Sequence, residues 1–153
     1  MNAQAARALV GAATSASLAT LAEDGSPFVS LVAVVDDGGG RPLFLLSGLA
    51  EHTRNLRARP RASVLVAAEG SGTTMDQARV TLIGEVVWLE GADAARAKER
   101  FVAANAEARV WAALPDFAPA RLEVRAVRYV GGFARAATIS AADYLADPTT
   151  SNS

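Results

Sequence analysis

An antiparallel β-barrel with peripheral helices is the fold class that this 153-residue sequence predicts. Three observations predict it. About six short apolar stretches are separated by turns rich in Gly, Pro and Asp, as in hairpin-built sheets. Helical spacing is confined to the N-terminus, to the segment after the third strand and to the segment before the last strand. The regular strand–helix alternation of doubly wound folds is missing, as are G-x-G-x-x-G after a strand and G-x-x-x-x-G-K-[ST], so no Rossmann or P-loop site is offered.

The elements follow in chain order. Asn2 to Ala13 is rich in helix formers, and the predicted helix of residues 1–14 packs over a barrel mouth. Ser17–Ala22 reads as a strand, and Glu23-Asp24-Gly25-Ser26-Pro27 as the turn of a hairpin. Phe28–Val35 is apolar on both faces except at Ser30, which predicts a strand covered on both sides. After the turn Asp36 to Gly40, Pro42–Ser47 is a third strand. Gly48 to Arg59 takes helical spacing, with Leu49, Thr53 and Leu56 on one side, until Pro60 stops it. Arg61–Glu69 is a fourth strand, and residues 70–74 form a loop. Arg79–Glu90 is the longest strand, with Val80, Leu82, Val86 and Trp88 on one face and Arg79, Thr81 and Glu85 on the other. Asp93 to Ala113 predicts one or two helices packed through Phe101, Val102, Val110, Trp111 and Leu114. Arg121–Tyr129 alternates again, with Leu122, Val124 and Ala126 inward. The tail 147–153 is polar and expected to fray, and residues 1–153 are expected to form a single domain.

Composition removes whole classes of chemistry. The chain has no cysteine and one histidine, His52, so thiolate ligands, thiol nucleophiles, poly-histidine zinc sites and bis-histidine haem are unavailable. A formal net charge of -1 gives no global field toward nucleic acid. No apolar run reaches the roughly 20 residues of a membrane helix, and the N-terminal apolar run is too short for a signal peptide, so the expected location is cytoplasmic. Glu85 with Glu90, or Glu23 with Asp24, fit turns and solvent faces better than a glycosidase pair, since aromatic residues make up only 6% and suggest no sugar cleft.

Several strings, in this order and spacing, resemble the pyridoxamine-phosphate-oxidase-like FMN-binding split-barrel superfamily. They are Ser17-Leu18-Ala19-Thr20-Leu21, Pro27-Phe28-Val29-Ser30, Pro42-Leu43-Phe44-Leu45-Leu46-Ser47 running into Glu51-His52-Thr53-Arg54-Asn55-Leu56, Pro60-Arg61-Ala62-Ser63, Arg79-Val80-Thr81-Leu82-Ile83-Gly84, and Tyr129-Val130-Gly131-Gly132-Phe133. Glu51-His52-Thr53 and the Val-Gly-Gly-Phe ending are most similar to the haem-utilisation subgroup. The resemblance implies a homodimer of split barrels with FMN in the groove between subunits, and a flavin-dependent oxidoreductase of unspecified substrate. A haem-binding or haem-degrading protein using the same cleft is the alternative. Haem-degrading members typically carry a further C-terminal region, for which this chain ends too soon. A third reading is a barrel that has lost its cofactor.

The resemblance also implies the cofactor-binding residues: Ser30, Val32, Ser47, His52, Thr53, Arg79, Thr81, Phe133 and Arg135. Elementary chemistry agrees in part, because hydroxyl and guanidinium donors and a helix N-terminus after Ser47 all favour a phosphate. Four of these positions have a plainer reading beside them. Ser30 suits a hydroxyl bonded to backbone in a buried strand, His52 a half-exposed helix residue, Arg79 an edge charge, and Phe133 a packing residue. True pyridoxamine phosphate oxidases place an Arg-Lys pair about where Glu51-His52 stands, which weakens the phosphate site here. No catalytic side chain is expected, because a flavin carries such chemistry itself.

Overall fold

The computed structural model describes residues 1–70 and 72–146, so Ser71 of the predicted loop and the predicted frayed tail lie outside the described residues. Helix α1 is Asn2–Ala12, followed by strands β1 (Ser15–Leu21), β2 (Pro27–Ala33), β3 (Val35–Asp36) and β4 (Pro42–Ser47). Helix α2 (Glu51–Ala58) leads to β5 (Arg61–Ala67) and β6 (Arg79–Trp88). Helices α3 (Gly91–Ala104) and α4 (Ala108–Ala112) precede β7 (Phe117–Val130), β8 (Ala136–Ser140) and α5 (Ala141–Leu145). The strands form one antiparallel sheet in the order β2-β1-β5-β6-β7-β4-β3, with β8 added to β7. This is the mainly β, antiparallel split barrel with peripheral helices that the sequence predicts.

The sheet curls around one core. Leu18, Val64, Leu82 and Val127 sit on adjacent strands in register and share the inner face, where all four are fully buried. Helix α1 closes one mouth as expected, burying Ala6 and Val10 completely in that core. Helix α2 lies against β1 and β2 and buries Leu56 in the same cluster. The sheet has two ends, β2 and β3, so the barrel is open along a seam where β2 approaches β4 and where α2 lies against β2. A smaller cluster of Leu43, Leu45, Ala97, Phe101 and Ala108 fixes α3 and α4 to the outside of β4.

Several expectations need correction. β2 is an edge strand and is covered on one side only, since Val29 and Leu31 are 65% and 77% exposed. Leu49 precedes α2 and is exposed rather than packed, and Val110, Trp111 and Leu114 are exposed because α4 is a single short turn buried only through Ala108. The inward run of β7 breaks after Val124. A bulge opposite Ile83 and Gly84 shifts the phase, so Ala126 pairs with outward-facing Ile83 while Val127 and Tyr129 become the buried residues. Gly84 permits this approach, because a Cβ there would collide with the carbonyl oxygen of Glu123. Trp88 packs against the core as predicted, and the Arg57 guanidinium lies 4.3 Å from its ring centroid.

β7 begins four residues earlier than the alternation suggests, and β8 and α5 were not anticipated. Tyr144 of α5 is fully buried and donates its hydroxyl to the Gly40 carbonyl at 2.6 Å, while Arg7 of α1 donates to the Tyr144 carbonyl at 3.1 Å. The last helix is thereby tied to the first and to the β3–β4 turn.

Candidate functional site

The nine predicted site residues fall into two groups on opposite sides of the sheet. Alternation sets the division. Ser30 pairs with Leu18 and Val32 with Ala16, so both project to the inner face with those buried partners. Thr81 pairs with Leu65, which is exposed, and Arg79 pairs with exposed Ala67, so both project outward.

The first group gathers at the seam. His52, on the first turn of α2, is half-buried and its Nδ1 lies 3.0 Å from Ser30 Oγ. Its Nε2 is buried and has no hydrogen-bond partner among the described residues. Burial pushes the His52 pKa down, which keeps the ring neutral at pH 7. Thr53 is buried, and its hydroxyl donates to the Ser47 carbonyl at 2.6 Å. Val32 is buried in the main core, so neither Val32 nor Thr53 presents its side chain to a ligand in this conformation. One turn along α2, Asn55 Nδ2 donates to Thr20 Oγ1, a buried bond that holds the helix to β1.

The start of α2 sets acidic side chains beside the donors that Ser47 to Thr53 offers a phosphate. Ser47 Oγ donates to Asp116 Oδ2 at 3.4 Å and accepts from the Leu49 amide at 3.2 Å. Glu51 adds a carboxylate to the first turn. Glu51 stands in the first turn and Asp116 beside Ser47, so a phosphate dianion placed between them meets like charge. Arg54 is the nearest cation in sequence, and its guanidinium is engaged with the Leu49 carbonyl at 3.0 Å.

The second group lies where β6 starts and β7 ends. Arg79 Nη1 donates to the carbonyls of Thr74 and Gln77, fastening the preceding loop. Arg79 pairs with Val130, and the turn Gly131 to Arg135 follows directly, closed by Gly131 N–H to the Arg135 carbonyl and Arg135 N–H to the Gly132 carbonyl. Ala134 in this turn has φ 62°, a left-handed conformation that costs an L-residue about 1–2 kcal/mol. The turn presents Phe133, 68% exposed, with Arg135 also exposed. Arg128, which the sequence reading passed over, pairs with Thr81 and is exposed on the same outer face. Its outward position is a consequence of the β7 bulge, which no alternation pattern in the sequence announces.

Between the two groups the outer face of β2, β1, β5 and β6 carries apolar side chains interspersed with small hydroxyl residues. Leu31, Ser17, Leu65 and Thr81 form one cross-strand row, and Val29, Ala19, Ser63 and Ile83 form the next. A groove of about 700 Å³ runs from this face under α1, lined mainly by alanines with Leu9, Leu31, Leu65 and Tyr129. No group of three or more His, Asp or Glu side chains suited to a metal ion occurs among the described residues, and no described helix is long and apolar enough to cross a membrane.

The open antiparallel sheet and the helix in its seam define a split-barrel protein of the pyridoxamine-phosphate-oxidase-like type, as the sequence strings suggest. The chain belongs to the CREG β-barrel family, which it matches over residues 1–146. It is 35% identical over 113 residues to the chloroplastic non-canonical heme oxygenase HOZ of Arabidopsis thaliana, an alignment that covers 74% of this chain and 34% of that protein. The solved structure of a heme-binding protein from Mycobacterium smegmatis superposes with a TM-score of 0.90 at 34% identity, covering 95% of this chain and 60% of that one. A FAD-binding protein of Mesorhizobium loti shares the fold with a TM-score of 0.67 at 20% identity, covering 83% of this chain and 90% of that one. The chain thus spans about a third of the Arabidopsis protein and 60% of the mycobacterial one.

Proposed function

We propose that the chain forms a homodimer that binds haem in a crevice completed by two copies, each giving one half-site. The observation that carries this reading is the separation of the half-sites: Ser30 with His52 lies inside the sheet, and Arg79, Thr81 and Arg128 lie outside it. In one copy these groups cannot meet on a single ligand. Across a twofold axis, the seam of one copy faces the outer side of the other, which is the isologous arrangement closed dimers use. The apolar outer face bearing Val29, Leu31 and Leu65 supplies the contact such a dimer needs.

Haem suits the chemistry better than FMN at this position. A porphyrin offers a broad apolar plate to Leu31, Leu65 and Phe133, and two carboxylates to Arg79, Arg128 and Arg135. The heme-binding and heme-oxygenase names of the proteins at 34% and 35% identity support the same reading. FMN, and with it a flavin-dependent oxidoreductase, is the second reading. It is favoured by the same three arginines, which could take a phosphate that the acidic start of α2 would repel.

Adding hemin or FMN separately to the purified chain and recording visible spectra tests the proposal. A Soret band that saturates with hemin is the expected result. A perturbed flavin band with no Soret band shifts the assignment to FMN, and free-ligand spectra in both mixtures refute cofactor binding altogether.

A further inference from the structure

We infer that the groove under α1 is a separate binding site, for a neutral apolar molecule whose single hydrogen-bond acceptor takes the Tyr129 hydroxyl. The chain has two tyrosines, and they differ in one respect. Tyr144 gives its hydroxyl to the Gly40 carbonyl at 2.6 Å, whereas the Tyr129 hydroxyl has no hydrogen-bond partner among the described residues. Yet Tyr129 is only 9% exposed, and it forms part of the groove wall. A polar group so far withdrawn from water is ordinarily bonded, so a free phenol at a cavity wall is an unused donor. Gly131 keeps the space beside it clear, because a Cβ there would lie 3.0 Å from the hydroxyl oxygen.

The sequence builds the space around that hydroxyl. Helix α1 is apolar on two faces: Ala6 and Val10 are buried in the core, while Ala5, Ala8 and Ala12, at helical spacing, line the groove. Ala67 at the end of β5 and Ala78 before β6 line it as well. Methyl groups in place of larger side chains leave about 700 Å³ open, within the range that small-molecule sites occupy. The lining also selects charge. Glu69 is its only charged side chain, and no arginine or lysine is among the described residues that form it. A carboxylate or phosphate entering the groove would give up water without gaining a cation, and would meet Glu69. Glu69 is itself exposed, so water and salt screen what it could offer a cation. The inference is therefore independent of the haem reading, since haem and FMN are both anions and are unsuited to this lining.

Nile red, a neutral dye with a ring carbonyl, tests the site on the full chain. Its emission is expected to shift to the blue and to saturate as the chain is titrated. Ala8→Trp fills the groove from an exposed helix position and is expected to weaken binding at least about tenfold by steric exclusion. Ala67→Trp, at an exposed strand position, blocks the groove independently of α1 and is expected to do the same. Tyr129→Phe keeps the shape and removes only the donor, so a loss of about fivefold is expected. Octanol is expected to displace the dye and octanoate to fail. Thermal melts of each variant establish that it is folded. Binding that never saturates, the result if a second copy fills the groove, overturns the inference. Unchanged affinity in both tryptophan variants overturns it too, by placing the dye on the exposed outer face. Unchanged affinity in Tyr129→Phe removes the hydroxyl from the site, and displacement by octanoate as readily as by octanol overturns the choice of a neutral ligand.

Discussion

Asn55 on α2 and Thr20 on β1 form a buried side-chain pair, with Asn55 Nδ2 donating to Thr20 Oγ1 across 3.0 Å. The bond holds the helix that carries His52 against the hairpin that carries Ser30. Its removal from one side strands the other. Thr20→Val keeps the shape and leaves the Asn55 amide short of an acceptor, so a loss of about 1–3 kcal/mol is expected in urea unfolding. An unchanged unfolding midpoint would show that water takes the place of the hydroxyl.

Acid should weaken the fold through His52. Its folded pKa is lowered by burial, below the unfolded value of about 6.5, so the unfolded chain takes up the proton first. The stability held by the neutral ring is complete above the unfolded pKa and is lost as pH falls through the folded one. Denaturant titrations at a series of pH values should show this decline, and His52→Phe should flatten it. Parallel slopes for the two proteins below neutrality would count against the assignment.

Gly84→Ala should be among the most disruptive single-methyl additions in the chain. The new Cβ would occupy the space of the Glu123 carbonyl oxygen at the bulge, and backbone cannot step aside as a flexible side chain can. Overpacking of this kind costs at least on the order of 1–3 kcal/mol. Thermal unfolding measures it directly, and a melting temperature within a degree of the wild type would contradict the tight approach.

Leu31→Glu should convert the proposed dimer to monomer while leaving each barrel folded. The side chain is 77% exposed on the outer face, so the substitution costs the single chain little. In a dimer it places a carboxylate against an apolar plate without a partner. Light scattering and a thermal melt, recorded together, separate loss of assembly from loss of fold. A dimer that survives Leu31→Glu would place the interface elsewhere.

The strands were legible because side-chain alternation and Gly/Pro turns survive in single sequences, as at Ser15–Leu21 and Arg61–Ala67. The start of β7 was hidden by Pro119, a residue that argues against a central strand, though it pairs with Leu45 and its carbonyl accepts from the Leu89 amide. β8 carries a single large apolar residue, Ile139, too little for a periodic signal. For α5 a signal existed: Ser140 is followed three residues later by Asp143, and its hydroxyl accepts from the Asp143 amide at 3.0 Å. At the site, Ser30 and His52 were each picked out, but their contact was not foreseen. It depends on how α2 crosses the seam, and 22 residues separate the two in sequence. The acidic character of the α2 start was equally hidden, because Asp116 arrives there from a distant turn.

The bulge in β7 gives one continuous strand two opposite parities. Were Arg125 instead to pair with Ile83, with no bulge, the remainder of the strand would turn over, delivering Val127 and Tyr129 to water and Arg128 to the hydrocarbon interior. A single surplus residue thus decides which half of the longest strand is lining and which is skin.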